Sequence, residues 1–400
     1  MYTPPVVLLV LALGVCCVTL ASCRGPAQGL LDDDFRRDPL GTGWVQGAPA
    51  PQAFDGAWAD AGDGGRCLVV RQGFWQSPAV PVEPLAYYRV RFRSKTPDKG
   101  YWSVVFFDAA GGEVVADAYD TVFPSDDWQE GGACVRAHAL AARAVVRFHP
   151  IEQPLAVRDV RIEVVSPEAV AAWADGLAAD LPPVRYVPPE GRWRRLAETR
   201  RRLADGGTLR IVMLGDSICN DTSNSLFEVL LRRACPKARI EVVTSVRGGT
   251  GCTYYKDENR VAEYVLRLRP DLVVIAGISH GYDAEAIRSV VRQVRAASAC
   301  EILITNGAVC PEERMAASFL EHSGLPKAEA LERIRTWPER LSRMAAEENV
   351  ELFDTRAAWN ACVAASGRPV DWFMRDPVHA NGRGKQVLGR ILFRYFDPRG

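Results

Sequence analysis

The residues in this sequence that are best suited to covalent chemistry lie in two short stretches, Gly-Asp-Ser at 215–217 and Asp-Pro-Val-His at 376–379. A serine hydroxyl is a weak nucleophile that needs a base to take its proton and a third group to orient that base. An Asp three residues before a His in a loop can accept the Nδ1–H of the imidazole while Nε2 faces a serine. Alone, Ser217 would read as a helix-capping serine and Asp376 as a turn opener. Together the stretches indicate nucleophilic catalysis by Ser217, with His379 as base and Asp376 as orienter.

The elements around Ser217 predict where its hydroxyl lies. The apolar run Leu209–Leu214 reads as a buried strand that ends at the Gly-Asp-Ser turn, and apolar residues recur at helical spacing within Ser223–Ala234. A serine on such a turn lies at the carboxyl edge of a sheet, where open α/β sheets bind ligands. The helix that follows offers unpaired N–H groups and a positive dipole potential to a developing oxyanion.

Strands and helices alternate through the rest of the second half of the chain. Further strands are predicted at Ile240–Val246, Leu272–Ala276, Glu301–Thr305 and Val350–Phe353. Helices are predicted at Arg260–Leu268, Glu285–Ala297, Lys327–Glu348, Arg356–Ala365 and Gly382–Phe396. This alternation predicts a mainly parallel, doubly wound sheet, which is the α/β fold class, with helices on both faces.

The two motifs, in this order within one α/β pattern, resemble the SGNH (GDSL-type) hydrolase family over roughly residues 209–396. The resemblance implies a flavodoxin-like, three-layer α/β/α domain that hydrolyses esters with the triad Ser217, His379 and Asp376. It implies no metal and no organic cofactor, because the triad supplies its own nucleophile and base.

The resemblance also implies the donors of an oxyanion hole. The Ser217 N–H is one, and the glycine-rich loop 246–251 offers Gly248, with Gly249 close behind. A phosphate-binding loop is the rival interpretation of these glycines, but no Lys-Ser or Lys-Thr follows them.

The sequence departs from the family at the next donor, since Gly-Ile-Ser-His at 277–280 replaces the usual Gly-x-Asn-Asp. If the two motifs are aligned at their glycines, Ser279 takes the place of the family's Asn. If the alignment is shifted by one residue, His280 takes that place. We expect His280 to be the third donor or a substrate contact, because a neutral imidazole can donate from a ring nitrogen. Asn306 is the fallback donor.

The first half of the chain has a different pattern. Short β-rich runs occur at Cys67–Val70, Tyr87–Phe92, Tyr101–Phe107, Glu113–Ala118, Ala144–Phe148 and Val157–Val164. Many short strands without intervening helices predict an antiparallel sandwich, similar to the jelly-roll modules of bacterial carbohydrate-active enzymes. Its tryptophans leave two interpretations open, a platform for stacking sugars or packing within the domain; the candidates are Trp44, Trp58, Trp75, Trp102 and Trp128.

The predicted organisation is a signal peptide at 1–22, an all-β, jelly-roll-like sandwich at 30–165, a helical and Pro-rich linker at 166–191 and a hydrolase domain at 192–400. Leu-Ala-Ser-Cys at 20–23 resembles the bacterial lipoprotein processing box, so we expect Cys23 to carry lipid. The expected location is the cell envelope, in the periplasm or on the outer surface. Ordinary secretion and a membrane-tethered signal anchor are the alternatives.

Composition narrows the classes of partner. The chain is 48% apolar and 24% charged, as in globular proteins, and its formal net charge of zero favours neither nucleic acid nor an acidic membrane surface. Of eleven cysteines, eight lie after Cys23. An even number in an exported chain permits disulfides, including one between Cys219 and Cys252, and buried free thiols are the equal alternative.

These inferences together predict an exported serine esterase that hydrolyses short acyl esters, acetyl esters first, on a carbohydrate. The same triad would also serve a lipase, a thioesterase or an O-acyltransferase. A third interpretation, from another class, is a surface-anchored glycan-binding protein whose hydrolase domain has lost its activity.

Overall fold

The computed structural model describes residues 29–114, 118–181, 183–184, 187–277, 281–307, 309 and 311–399. The expected signal peptide and Cys23 lie outside this part of the chain. Two antiparallel β-sheets are followed by a parallel sheet with helices between its strands. The predicted fold class, a sandwich-like all-β region before an α/β domain, is confirmed.

The sandwich is formed by the strands that precede residue 166. They are β1 (Gly29–Asp33), β2 (Val45–Gly47), β3 (Asp55–Asp60), β4 (Arg66–Gln72), β5 (Phe74–Gln76), β6 (Val80–Pro81), β7 (Tyr87–Thr96), β8 (Gly100–Phe107), β9 (Ala118–Val122), β10 (Ser125–Arg136), β11 (Arg143–Pro150) and β12 (Leu155–Val165). One sheet has the order β10-β7-β12-β4-β3 with β1 beside β12, and the other has the order β2-β5-β11-β8-β9 with β6 beside β11. Of the described residues in the predicted strand Glu113–Ala118, Glu113 forms only an isolated bridge with Phe107, Val114 is outside any strand and Ala118 begins β9.

The tryptophans of the sandwich pack within it. Trp44, Trp75 and Trp102 are at most 3% exposed and lie in the core between the sheets. Trp58 donates its Nε1–H to the Phe35 carbonyl, and Trp128 donates to that of Ala61. Burial of the indole body while its N–H finds an acceptor is the usual state of a structural tryptophan. The structure therefore supports packing for Trp44, Trp75 and Trp102, whereas Trp58 and Trp128 are only partly buried.

The α/β domain is built from five strands, and its sheet is parallel throughout. The strands are β13 (Gly207–Gly215), β14 (Ala238–Val246), β15 (Leu272–Ala276), β16 (Glu301–Thr305) and β17 (Glu351–Phe353). Their order is β14-β13-β15-β16-β17, the flavodoxin-like order. The predicted strands agree with these to within two residues. Since β13 lies between β14 and β15, the loops that follow these three strands meet at one edge of the sheet.

The helices of the described chain are as follows: α1 (Pro167–Leu177), α2 (Ala197–Asp205), α3 (Ser217–Ser223), α4 (Phe227–Ala234), α5 (Cys252–Tyr255), α6 (Arg260–Tyr264), α7 (Ala284–Ala297), α8 (Glu312–His322), α9 (Lys327–Arg335), α10 (Trp337–Glu347), α11 (Thr355–Ser366) and α12 (Gly382–Phe396). Short 3-10 turns occur at Leu40–Thr42, Leu266–Leu268 and Val370–Phe373.

Three predicted helices are interrupted, and α5 and α8 were not predicted. The helix predicted at Arg260–Leu268 is α-helical only to Tyr264 and is followed by the 3-10 turn at Leu266–Leu268. The helix predicted at Ser223–Ala234 is divided because Leu226 adopts a left-handed φ of 57° between α3 and α4. The helix predicted at Lys327–Glu348 is divided at Thr336, and Pro338 lies in the first turn of α10, where its missing N–H costs nothing. Hydrophobic spacing alone does not register such single-residue breaks.

The two domains share a buried interface. Tyr87 and Cys134 of the sandwich pack in one apolar cluster with Leu226, Val229 and Leu230 of the α/β domain. At its edge, Tyr87 donates its hydroxyl proton to Glu228 Oε1 over 2.9 Å. Arg136 of β10 forms a buried ion pair with the same carboxylate. The domains are therefore joined by apolar packing and by a buried charge pair.

The described cysteines are free thiols: Cys67, Cys134, Cys219, Cys235, Cys252, Cys300 and Cys362. The possible bridge between Cys219 and Cys252 is therefore not formed, and burial raises the pKa of both thiols. Within residues 29–399 as described, no helix is long and apolar enough to cross a membrane. No group of three or more His, Cys, Asp or Glu side chains there could hold a metal ion.

Candidate active site

The turn that carries Ser217 is closely packed against the neighbouring strand. β13 ends at Gly215 and α3 begins at Ser217. A Cβ added at Gly215 would lie 1.9 Å from the Ala276 carbonyl oxygen of β15, so only glycine fits. The Gly215 carbonyl accepts hydrogen bonds from the Tyr255 hydroxyl (2.6 Å) and the Arg247 N–H (3.1 Å). The backbone before Ser217 is thus held on both sides.

Asp216 has a structural role in the nucleophile turn. Its carboxylate caps α3 by accepting the N–H groups of Ile218 (2.9 Å) and Cys219 (3.2 Å). It is 1% exposed and lies against the backbone of Gly277, where an added Cβ would come within 2.1 Å of Oδ1. Gly277 also has a φ of +108°, which L side chains rarely adopt. Gly277 is therefore required for the approach of the capping carboxylate.

The structure brings together the three residues of the predicted triad. Ser217 Oγ lies 2.7 Å from His379 Nε2, although the two residues are 162 positions apart in sequence. His379 Nδ1 lies 2.9 Å from Asp376 Oδ1 and 2.8 Å from Oδ2. In this arrangement Nδ1 donates to the carboxylate and Nε2 is left to accept the serine proton. The side chain of His379 is 24% exposed, so the site is open to substrate.

Asp376 is held as an ionised acceptor. Its Oδ1 accepts the N–H groups of Val378 and His379, each over 2.8 Å. Partial burial raises the pKa of this carboxyl, but the hydrogen bond and charge of His379 and the two backbone donors outweigh it and lower the pKa to about 2. The carboxylate is therefore charged at neutral pH, where it can orient His379.

Unpaired backbone donors occur at the serine and in the neighbouring loop. Among described groups, the N–H groups of Ser217, Gly248 and Gly249 have no acceptor. Gly215 pairs in register with Val246 across β13 and β14, so the loop that begins at Arg247 starts beside the nucleophile turn. Free N–H groups at the start of α3 and in this loop are suited to bind an oxyanion.

The third predicted donor lies outside the described residues, since both Ser279 and His280 fall there. The fallback, Asn306, is already engaged. Its amide nitrogen donates to Asp354 Oδ1 over 2.6 Å, and its oxygen accepts the Arg356 N–H over 3.0 Å. Asn306 therefore connects the end of β16 to the start of α11.

The sequence analysis missed a buried ion pair next to the catalytic loop. Arg375 precedes Asp376 and is 3% exposed. One of its guanidinium nitrogens lies 2.8 Å from Asp221 Oδ1 in α3. The signal was present as an Arg adjacent to the Asp-Pro-Val-His motif and an Asp on the apolar helix after Ser217, but each residue alone reads as surface charge.

Comparison with known protein families adds an independent observation. The model of the GDSL-like lipase/acylhydrolase family matches residues 213–387. The second domain is a GDSL-like lipase/acylhydrolase domain. The matched range includes Ser217, Asp376 and His379. The match confirms the predicted resemblance to the GDSL-type hydrolases for this domain. No curated protein was found to match the sequence.

Several solved structures resemble parts of the chain at low identity. A two-domain esterase active on acetylated mannans matches at 17% identity over 52% of this chain and 53% of its own, with a TM-score of 0.40. An acetyl xylan esterase variant from Geobacillus stearothermophilus matches at 20% identity over 47% of this chain and 94% of its own, with a TM-score of 0.37. A xylan-binding domain from Paenibacillus barcinonensis matches at 14% identity over 35% of this chain and 96% of its own, with a TM-score of 0.28. The chain thus spans about half the length of the two-domain esterase.

Proposed function

We propose that this protein is an exported serine esterase that removes short acyl groups, acetyl groups first, from a carbohydrate. The observation that carries the catalytic part of the proposal is the 2.7 Å contact between Ser217 Oγ and His379 Nε2. A general base must be within hydrogen-bond distance of the proton that it takes, and this contact meets that condition.

In the proposed mechanism, His379 Nε2 accepts the proton of Ser217 as Oγ attacks the ester carbonyl. Negative charge develops on the carbonyl oxygen, and the N–H groups of Ser217 and Gly248 stabilise it. Asp376 stabilises the imidazolium, which then gives its proton to the leaving alcohol. Water repeats the sequence on the acyl-enzyme, with His379 again as base, and releases the acid and the free serine.

The carbohydrate substrate is proposed from the domain organisation. The sandwich before the GDSL domain resembles the modules attached to bacterial carbohydrate-active enzymes, and esterases of this organisation commonly act on acylated glycans. The test is release of acetate from a panel of acetylated glycans, with wild type compared with Ser217→Ala. Acetate from at least one glycan, lost in the variant, is the expected result. Cleavage of long-chain nitrophenyl esters in preference to acetate would favour a lipase instead.

Export through a lipid anchor is a separate part of the proposal. Its support is the Leu-Ala-Ser-Cys stretch at 20–23 after an apolar segment. Labelling of the expressed protein with a palmitate analogue, in wild type and Cys23→Ser, tests it. Incorporation in wild type only is expected, and equal incorporation in both would refute the anchor.

A further inference from the structure

The sandwich contacts the loop that carries Asp376 and His379, here called the catalytic loop (residues 375–380). Lys99, in the turn between β7 and β8, donates its Nζ–H to the Arg375 carbonyl over 3.1 Å. The ring of Tyr119 in β9 lies under the Arg375 guanidinium, with 4.5 Å between the guanidinium carbon and the ring centroid. Two separate parts of the first domain therefore touch the residue that precedes Asp376.

Four charged side chains meet at this contact, and we call them the four-charge cluster: Asp120, Asp221, Arg375 and Lys385. Lys385 of α12 lies 3.0 Å from Asp120 Oδ2 in the sandwich and 3.8 Å from Asp221 Oδ1 in the GDSL domain. Asp221 in turn pairs with Arg375. The side chains of Arg375 and Asp221 are each 2% exposed, that of Lys385 9% and that of Asp120 18%. The cluster is therefore largely removed from water.

Lys385 finds its nearest carboxylate across the domain boundary. Within the GDSL domain, Arg375 is paired with Asp221 and lies 3.8 Å from Asp376, so Lys385 is left with Asp221 at 3.8 Å. Asp120 of the sandwich lies closer to Lys385, at 3.0 Å. Removing one partner of a buried pair leaves an uncompensated charge, which is strongly destabilising. Without the sandwich carboxylate, Lys385 would lose its closest partner and would compete with Arg375 for Asp221 next to the catalytic loop.

The cluster holds both ends of the catalytic loop. Arg375 donates to the Ala380 carbonyl over 2.5 Å, and Asp221 Oδ2 accepts the Ala380 N–H over 3.1 Å. The Arg375 N–H also bonds to the His379 carbonyl over 3.0 Å. Asp376 and His379 lie between these fixed points, so a displacement of the cluster would be transmitted to the His379 ring.

We propose that the sandwich is a positioning part of the active site, in which Asp120, acting through Lys385 and the Asp221–Arg375 pair, keeps His379 in line with Ser217. The proposal rests on the serine esterase function proposed above. If the sandwich positions His379, it contributes to the hydrolysis of every ester substrate. This includes small esters that could not contact the active site and a glycan-binding surface at the same time.

The test is kinetics of Asp120→Asn with 4-nitrophenyl acetate. Because misplacement of a catalytic group by about 1 Å can cost on the order of 100-fold, kcat should fall by roughly 10- to 100-fold. KM should stay unchanged, since Asp120 does not touch the substrate. Asp120→Glu should recover part of the loss in kcat. The double variant Asp120→Asn with Lys385→Met should lose less kcat than the product of the two single losses, because both partners of the ion pair are removed together.

Tyr87→Phe is the matched control. It removes another hydrogen bond between the domains, but to Glu228 in α4 and not to the catalytic loop. Its kcat should equal that of wild type although the melting temperature falls. If Asp120→Asn does not fold, Lys99→Met replaces it, because Lys99 lies outside the buried cluster and its side chain gives one hydrogen bond to the loop. For that variant a fall in kcat of up to about tenfold is expected.

The positioning role would be overturned by a folded Asp120→Asn variant, or the Lys99→Met variant used in its place, that keeps the kcat of wild type. An equal loss of kcat in Tyr87→Phe would overturn it as well. Failure of the esterase function itself would look different. In that case Ser217→Ala would keep the activity of wild type, whereas a failed positioning role leaves Ser217→Ala inactive and Asp120→Asn active.

Discussion

Replacing Asp376 by Asn should invert the hydrogen-bonding of His379. Asp376 Oδ1 accepts two backbone N–H groups, from Val378 and His379, each over 2.8 Å. An Asn must therefore keep its oxygen at the Oδ1 position and place its NH₂ group at Oδ2, which lies 2.8 Å from His379 Nδ1. A donor there requires Nδ1 to become an acceptor, so the ring proton moves to Nε2 and faces Ser217 Oγ. Nε2 can then no longer take the serine proton.

The magnitude follows from the role of the base. The equivalent change in a serine protease triad lowers kcat by about 10,000-fold, or about 5 kcal/mol of transition-state stabilisation. We expect a loss of that order here, with residual activity from the backbone oxyanion donors. KM should change little, because Asp376 faces His379 and not the substrate.

Two measurements check this prediction. Steady-state kinetics with 4-nitrophenyl acetate give the loss in kcat, and ¹⁵N NMR of labelled histidine gives the tautomer. The chain has only five His, so a spectrum of His379→Ala is enough to assign the relevant signal. Asp371→Asn is the matched control, since that exposed carboxylate pairs with Arg314 and has no hydrogen bond to a triad residue among those described. A folded Asp376→Asn variant with its proton still on Nδ1, or with a kcat near that of wild type, would refute the reasoning.

Three further predictions concern the same site. Gly248→Pro removes one free N–H group and should lower kcat by about 100- to 1,000-fold. Gly248→Ala keeps the N–H and has open space for its Cβ, so its kcat should be close to that of wild type. Equal kcat values for the two variants would exclude Gly248 as an oxyanion donor. Gly277→Ala should lower the free energy of unfolding by roughly 2–4 kcal/mol, because alanine is strained at this φ and its Cβ displaces the capping carboxylate of Asp216. Urea denaturation measures this loss, and a change below about 1 kcal/mol would contradict the packing described. Folding lowers the pKa of Asp376 from 3.8 to about 2. Its contribution to stability should therefore be complete above pH 5 and be lost as the pH falls through 4 toward 2. The difference in unfolding free energy between wild type and Asp376→Asn should shrink over that range, and a constant difference would argue against an ionised Asp376.

The sequence predicted the sheet of the GDSL domain well because its strands are continuous apolar runs. Leu272–Ala276 and Glu301–Thr305 agree in both bounds with β15 and β16. The strand order could not be predicted from the residues themselves, since hydrophobic runs do not specify their neighbours. Helix breaks such as that at Leu226 were missed for a related reason, because one left-handed residue does not change the apolar spacing.

In the candidate site, the triad was predictable because its chemistry requires particular residue types next to recognisable turns. The supporting contacts were not, because they join residues that are far apart in sequence. Asp120 and Lys385 are 265 positions apart, and neither lies in a motif. The sandwich tryptophans left two interpretations open, since aromatic residues that suggest a binding surface are equally able to form the core.

The most direct test of the account is covalent labelling of the intact chain with a fluorophosphonate, followed by peptide mass spectrometry. The account predicts a single modified residue, Ser217, and labelling that is abolished in Ser217→Ala and greatly slowed in His379→Ala. Labelling of another residue, or labelling that persists in a folded Ser217→Ala variant, would contradict it.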